Sequence, residues 1–81
     1  MNRQLITNFL KSKGYVIIDG NKENIIAAFH VDKKLVISWI ITDQFKGKHV
    51  VVIAFETTRD VRFNGKIANL QQANMILEAV N

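Results

Sequence analysis

Residues 35–56, LVISWIITDQFKGKHVVVIAFE, hold two β-branched apolar runs separated by a short loop with one glycine. Val, Ile and aromatic residues are enriched in strands, so each run predicts a strand and the loop predicts a hairpin. Pairing Leu35 with Phe55 and Ile37 with Ile53 keeps the odd-numbered side chains of both strands on one face. We expect this hairpin to form the centre of an antiparallel sheet.

The two ends of the chain carry helical patterns. Apolar residues recur at helical spacing over residues 3–13, with Asn2 as the N-cap and Gly14 placed to end the helix in a Schellman motif. Near the other end, Asn69 with Gln72 three residues later predicts an N-cap. An apolar stripe follows it, formed by Leu70, Ala73, Ile76, Leu77 and Val80. The sequence therefore predicts one helix at each end.

Two further strands are predicted between the first helix and the hairpin. Residues 15–18 are β-branched and precede turn residues at 19–23. Residues 24–31 fit either a strand or a short helix, and we favour a strand because a turn at 32–34 then joins it to the hairpin. After the hairpin, residues 57–66 are polar.

The segment after the hairpin predicts little regular structure. Asn64 and Gly65 form a turn signal, so residues 61–63 are expected to add at most a short edge strand. The predicted fold class is therefore α+β. It is a single small domain over residues 1–81, in the order α-β-β-β-β-α, with a four-stranded antiparallel meander sheet packed by N- and C-terminal helices.

Side-chain size predicts the pairing of the second and third strands. A three-residue turn at 32–34 pairs Ala27 with Trp39 and Phe29 with Ile37, which sets a small side chain against the largest one. The odd-numbered face is then large and apolar, and we expect the helices to cover it. It carries Ile25, Phe29, Leu35, Ile37, Trp39, Ile41, Val51, Ile53 and Phe55.

The even-numbered face is also apolar, whereas a half-exposed antiparallel sheet normally has polar residues on its solvent side. Either one helix covers each face, or this face is left open. An open apolar face predicts a site for a protein partner or for a second copy of the chain. The expected interface consists of Ile26, Ala28, Val36, Ile40, Val50 and Val52.

Composition narrows the class of protein. A chain of 81 residues makes one domain, and without cysteine it has no disulfide or thiolate chemistry. Its longest apolar runs fall short of the roughly 20 residues of a membrane helix, and no signal-peptide pattern opens the chain. We expect a soluble cytoplasmic protein. Abundant Asn, Ile and Lys indicate an AT-rich genome, such as that of a low-GC bacterium, a phage or a mobile element.

Reactive groups are sparse. His30 and Ser38 would share the even-numbered face, but no acidic residue there could orient the imidazole. His49 stands alone beside lysines, and no histidine or cysteine spacing typical of a metal site occurs. We therefore expect no enzyme activity, no catalytic residues, no metal, no cofactor and no small-molecule substrate.

The net charge of +4 is spread along the chain, without a basic block. The 45–49 loop, FKGKH, is best interpreted as a hairpin turn around Gly47 that its two lysines keep solvated. A weaker basic cluster is predicted at the other end of the sheet. Its members are the expected nucleic-acid contacts Lys33, Lys34, Arg59, Arg62, Phe63 and Lys66.

Two functions follow as expectations. The favoured one is a small non-enzymatic accessory or regulatory protein that binds a protein partner or itself through the apolar sheet face. The alternative is a nucleic-acid-binding module that uses the basic cluster.

Overall fold

A computed structural model describes residues 2–19 and 23–80. Its elements, in chain order, are α1 (Arg3–Ser12), β1 (Val16–Asp19), β2 (Ile25–His30), β3 (Leu35–Phe45), β4 (Lys48–Phe55), β5 (Val61–Ile67) and α2 (Leu70–Ala79). The strands form one antiparallel sheet in the order β1-β2-β3-β4-β5. The α+β class and the antiparallel meander are confirmed, but the sheet has five strands where four were predicted. Part of the predicted turn at 19–23 lies outside the described residues.

The fifth strand contains the residues that were read as a turn. Asn64 lies opposite Val52 and Gly65 lies opposite Val51. The ring of Phe63 covers the glycine, since a Cβ built at Gly65 would stand 3.0 Å from Phe63 Cζ. An aromatic side chain over a strand glycine replaces the packing that the glycine lacks. Pairing with β4 therefore overrides the local turn preference of Asn-Gly.

The ends of α1 match the sequence prediction. Asn2 Oδ1 accepts a hydrogen bond from the Leu5 amide at 2.9 Å, as an N-cap should. At the other end Gly14 adopts a φ of +89°, and the Tyr15 amide donates to the Leu10 carbonyl at 3.0 Å. This is the Schellman hydrogen bond, and it turns the chain directly into β1.

The N-cap of α2 is likewise confirmed. Asn69 Oδ1 accepts from the Gln72 amide at 2.9 Å, and Gln72 Oε1 accepts from the Ala68 amide at 2.7 Å. The two side chains thus satisfy backbone donors on both sides of the helix start.

The turn between β2 and β3 is longer than predicted. It spans the four residues 31–34, and the Lys34 amide donates to the His30 carbonyl at 2.9 Å. Lys34 itself adopts a positive φ of 57°. The fourth turn residue moves the strand pairing by one position, so Ala27 does not lie opposite Trp39. The predicted register is wrong.

The register shift turns β2 over, because side chains alternate between faces along a strand. Ile26 pairs with Trp39 and Ala28 pairs with Ile37. Both are fully buried beneath the helices, whereas Ile25 and Phe29 project to the opposite side. The predicted pairing of β3 with β4 is confirmed, with Leu35 opposite Phe55.

Both helices pack on the same side of the sheet, the covered face. The Phe9 ring of α1 meets the Trp39 ring edge-on with centroids 6.3 Å apart. On α2, Ala73 and Leu77 line one small cavity of about 10 Å³ together with Ile37 and other sheet residues. The buried sheet side chains of the covered face are Ile26, Ala28, Leu35, Ile37, Trp39, His49, Val51, Ile53 and Ile67.

The register of β2 can be tested with two adjacent isoleucines. Ile26→Ala should lower the free energy of unfolding by about 3 kcal/mol, because it empties a fully buried position. Ile25→Ala removes the same atoms from a partly exposed position and should cost about 1 kcal/mol. Urea unfolding followed by the fluorescence of the single tryptophan measures both. Equal losses, or a larger loss at Ile25, would contradict the register.

Candidate functional site

The side of the sheet opposite the helices, the open face, is apolar and is covered by no described element. Three rows of side chains cross its β2, β3 and β4 strands: Ile25, Ile40 and Val50; Ala27, Ser38 and Val52; Phe29, Val36 and Ala54. Each of these nine side chains is partly exposed, while its neighbours on the covered face are buried. Ser38 is the only polar member. A solvent-facing sheet normally carries polar residues, so this composition is typical of a binding surface.

The middle row of the open face is lower than the rows beside it. Ala27, Ser38 and Val52 are small, whereas the adjacent rows contain Ile25 and Phe29. The face is therefore flat, with a shallow central depression. A flat surface of β-branched side chains is better suited to packing against another sheet than to holding a peptide in a narrow groove.

The edge strands extend the open face. Val16 lies opposite Phe29 and is 59% exposed, and Val61 lies opposite Ala54 and is 58% exposed. Exposed fractions this high are unusual for two large apolar residues in line with an apolar row. The apolar surface therefore reaches from β1 to β5.

Charge enters the rows at the β5 edge, where Lys66 lies opposite Val50. The Lys66 ammonium stands 4.1 Å from the centroid of the Phe45 ring, within the range of a cation–π interaction. The centre of the open face is uncharged.

The structure places the six predicted interface residues on two different faces of the sheet. Val36, Ile40, Val50 and Val52 lie on the open face. Ile26 and Ala28 do not, because the one-residue shift of β2 buries them against the helices, and their assignment to an interface is wrong. The same shift brings to the open face the three β2 residues that sequence reasoning missed, Ile25, Ala27 and Phe29.

Four of the predicted nucleic-acid contacts lie at one end of the sheet. Lys33 and Lys34 lie in the β2–β3 turn, and Arg59 lies in the loop that follows β4. The Glu56 amide donates to the Lys34 carbonyl at 2.9 Å, which ties the turn to that loop. At the start of β5, the Arg62 guanidinium carbon lies 5.4 Å from the centroid of the Phe55 ring.

The other two members of the predicted cluster lie elsewhere. Lys66 is four residues beyond Arg62, which is roughly 13 Å along an extended strand. Phe63 packs against the core over Gly65 and is not available for base stacking beside the arginines. The six residues therefore do not form one surface, and the predicted cluster is corrected to the 33–34 turn with Arg59 and Arg62.

His49 belongs to the core. It is 5% exposed, and its Nδ1 accepts a hydrogen bond from Trp39 Nε1 at 3.0 Å. An accepting Nδ1 carries no proton, so the imidazole is neutral with its proton on Nε2. Burial lowers the pKa of His49, and Asp43 acts in the opposite direction. The role of His49 is to satisfy the indole donor of Trp39 inside the core.

The second histidine does not meet Ser38. His30 pairs with Leu35 on the covered face, whereas Ser38 is on the open face, so their predicted placement on one face is wrong. The His30 ring contacts the Tyr15 ring edge-on at 5.1 Å, and its Nδ1 accepts from the Lys33 amide at 3.3 Å. These contacts give it a structural position at the end of β2.

Metal-ligating side chains do not converge in the part of the chain that the structure describes, where no three His, Asp or Glu residues are close enough to hold an ion. Within the same residues, neither helix has the length and apolar character needed to cross a membrane. Comparison of the chain with protein-family models, curated proteins and solved structures finds no match. The open face is the feature from which a function can be inferred.

We expect the buried His49 to make the protein less stable at acidic pH. Burial lowers the pKa of His49 below its ordinary value of 6.5 in the folded chain, so the unfolded chain takes up a proton that the folded chain resists. This contribution to the free energy of unfolding should be complete above roughly pH 6.5 and should decline as the pH falls below it. Urea unfolding at a series of pH values measures the decline.

Two glutamine variants assign the effect. His49→Gln keeps an acceptor for the Trp39 indole but cannot titrate, so the stability of this variant should depend less on pH between neutral and acidic conditions. His30→Gln removes the other histidine and should keep the decline of the unmodified chain. An unchanged decline in His49→Gln would show that the buried imidazole is not responsible.

Proposed function

We propose that this protein is a small non-enzymatic accessory or regulatory protein that acts by protein–protein association through its open face. The observation that carries the proposal is the uncovered apolar side of the sheet. Its rows cross the strands without a charged residue at the centre, and no described element packs on it.

The extent of the open face supports this function. Five strands spaced by ~4.8 Å, with about six residues each at a rise of ~3.4 Å, give a surface of roughly 24 by 20 Å. Contiguous apolar patches of several hundred Å² are rare on monomeric proteins and usually mark an interaction site. Association would remove this surface from water, and each Å² of apolar area so buried contributes about 25 cal/mol before the costs of association.

The arrangement of reactive groups favours binding over catalysis. Ser38 and His30 are on opposite faces of the sheet, and the His49 imidazole is occupied by Trp39. A catalytic site needs a nucleophile or base that converges with an orienting group around a space for substrate. The described histidines and Ser38 offer no such convergence.

Nucleic-acid binding remains the alternative function. The 33–34 turn, Arg59 and Arg62 share one end of the sheet, which gives a small basic patch. Its support is narrower than that of the open face, because Lys66 and Phe63 lie apart from it. Few phosphate contacts would be available, and a small number of contacts gives weak binding.

Two charge variants test the open face as the binding surface. In a pull-down from an extract of the cells that naturally produce this protein, Val52→Glu and Ile40→Lys should each abolish recovery of the protein partner. Each variant places a charge in an apolar contact. Both side chains are partly exposed, so the variants should keep the circular dichroism spectrum of the unmodified chain. Gln71→Glu and Gln71→Lys, on the exposed side of α2, are the matched controls and should retain binding. Loss of binding in these controls as well would contradict the assignment.

A salt titration distinguishes the alternative function. Binding to DNA or RNA through phosphates weakens as salt rises, with a slope of log K against log salt of about −0.7 to −0.9 per contact. We expect the unmodified chain to bind either nucleic acid weakly, with a shallow slope. We also expect the double variant Arg59→Ala, Arg62→Ala to keep its protein association. Tight, salt-sensitive nucleic-acid binding that this double variant loses would reverse the order of the two functions.

A further inference from the structure

We infer that the open face is covered by a second copy of this chain, which gives a dimer with the layers α/β/β/α. The inference rests on the proposed function and names the partner. In this dimer the two open faces pack against each other, and the helices of each copy lie on the outside. Two identical sheets have the same right-handed twist, so they can pack face to face with their strands about 30° apart.

The area of the open face is sufficient for a symmetric dimer. A surface of roughly 24 by 20 Å on each copy amounts to about 1,000 Å² for the pair, before the corrugation of the side chains is included. A specific interface is expected to bury at least about 1,000 Å² in total. The molecule measures 32 × 23 × 20 Å, so this face is nearly as wide as the molecule itself.

The side chains of the open face suit contact with their own copies. A two-fold interface sets a surface against itself, which is costly where a charge would meet its own copy. The centre of this face contains Val52, Ile40 and Ser38, none of which is charged. The short serine side chain at the middle of the central strand leaves room for the approach of a second sheet.

The basic charge of β5 selects one orientation of the dimer. β5, VRFNGKI, contains two basic residues and no acidic one, whereas β1, VIID, contains no basic residue. A two-fold axis parallel to the strands places β5 of one copy over β1 of the other, at both edges. An axis across the strands would instead stack β5 on β5, basic strand on basic strand. Avoidance of this like-charge contact favours the parallel axis.

The registers place two exposed edge valines in the same row. Val16 lies opposite Phe29 and Val61 lies opposite Ala54, and Val36 joins Phe29 to Ala54. A two-fold axis along the strands preserves heights, so Val61 of one copy lies over Val16 of the other. Within one copy the two valines lie on opposite edges, about four strand spacings or ~19 Å apart. They can therefore contact each other only between copies.

Sedimentation equilibrium tests the dimer. The unmodified chain should be dimeric with a dissociation constant in the micromolar range or tighter. Ser38→Arg should weaken the dimer by at least ~100-fold, because the two-fold axis brings both copies of this central position together as like charges. Gln71→Arg adds the same charge on the exposed surface of α2 and should leave the dissociation constant unchanged.

A charge pair at the edges tests the orientation and does not depend on the central variant remaining folded. Val61→Lys should weaken the dimer by up to ~10-fold, as should Val16→Asp, because each places an unpaired charge at the rim of an apolar contact. The double variant Val16→Asp, Val61→Lys should recover the unmodified dissociation constant, because it sets opposite charges against each other at both edges. Rescue of this kind requires contact between copies, and its absence would overturn the parallel two-fold axis.

The outcomes separate this inference from the proposed function. A monomer at every concentration would overturn the second copy as the occupant. If the unmodified chain then recovered a different protein from the extract and Val52→Glu did not, the proposed function would stand with that other partner. A dimer that Ser38→Arg leaves intact would place the contact elsewhere, for example at the exposed edge of β5, and would overturn the inference. Both the dimer and the proposed function would be overturned if the chain is monomeric and its binding to other proteins is unaffected by every charge placed on the open face.

Discussion

The structure depends on the fact that both helices pack on one side of a five-stranded sheet. Each helix has ten residues, and their apolar side chains meet the same buried set around Trp39. The core is therefore built on one face, and the other face receives no cover from the described elements. An uncovered apolar side of this kind is typical of an interaction surface. The open face, with its Val and Ile rows, follows directly from this arrangement.

The pair formed by Trp39 and His49 shows how a polar group is accommodated in so small a core. An indole N–H buried without a partner would cost free energy, and the neutral imidazole supplies the acceptor. Because the pKa of His49 is lowered by burial, the same contact links the stability of the core to pH. His49 thus has a structural role, although Lys48 beside it in β4 is exposed.

The distribution of charge differs between the centre and the β5 edge of the open face. The centre is apolar, and burial of apolar surface is the main source of free energy in protein association. Lys66 lies on the β5 edge strand, opposite Val50. Lysine on an edge strand opposes further strand pairing, so this residue protects the β5 edge from non-specific association.

The sequence by itself determined the helices and their caps, the β3–β4 hairpin with its register, and the α+β class, because these depend on local capping, glycine conformation and side-chain periodicity. Only the tertiary structure decided the β2 register and the fifth strand. The 31–34 segment fits a three- or a four-residue turn, and burial of Ile26 beneath the helices settles the choice. Asn64 and Gly65 prefer a turn locally, but pairing with β4 and the Phe63 ring stabilise a strand. Since one residue of slip exchanges the two faces of a strand, the β3 and β4 parts of the open face were predictable and its β2 part was not.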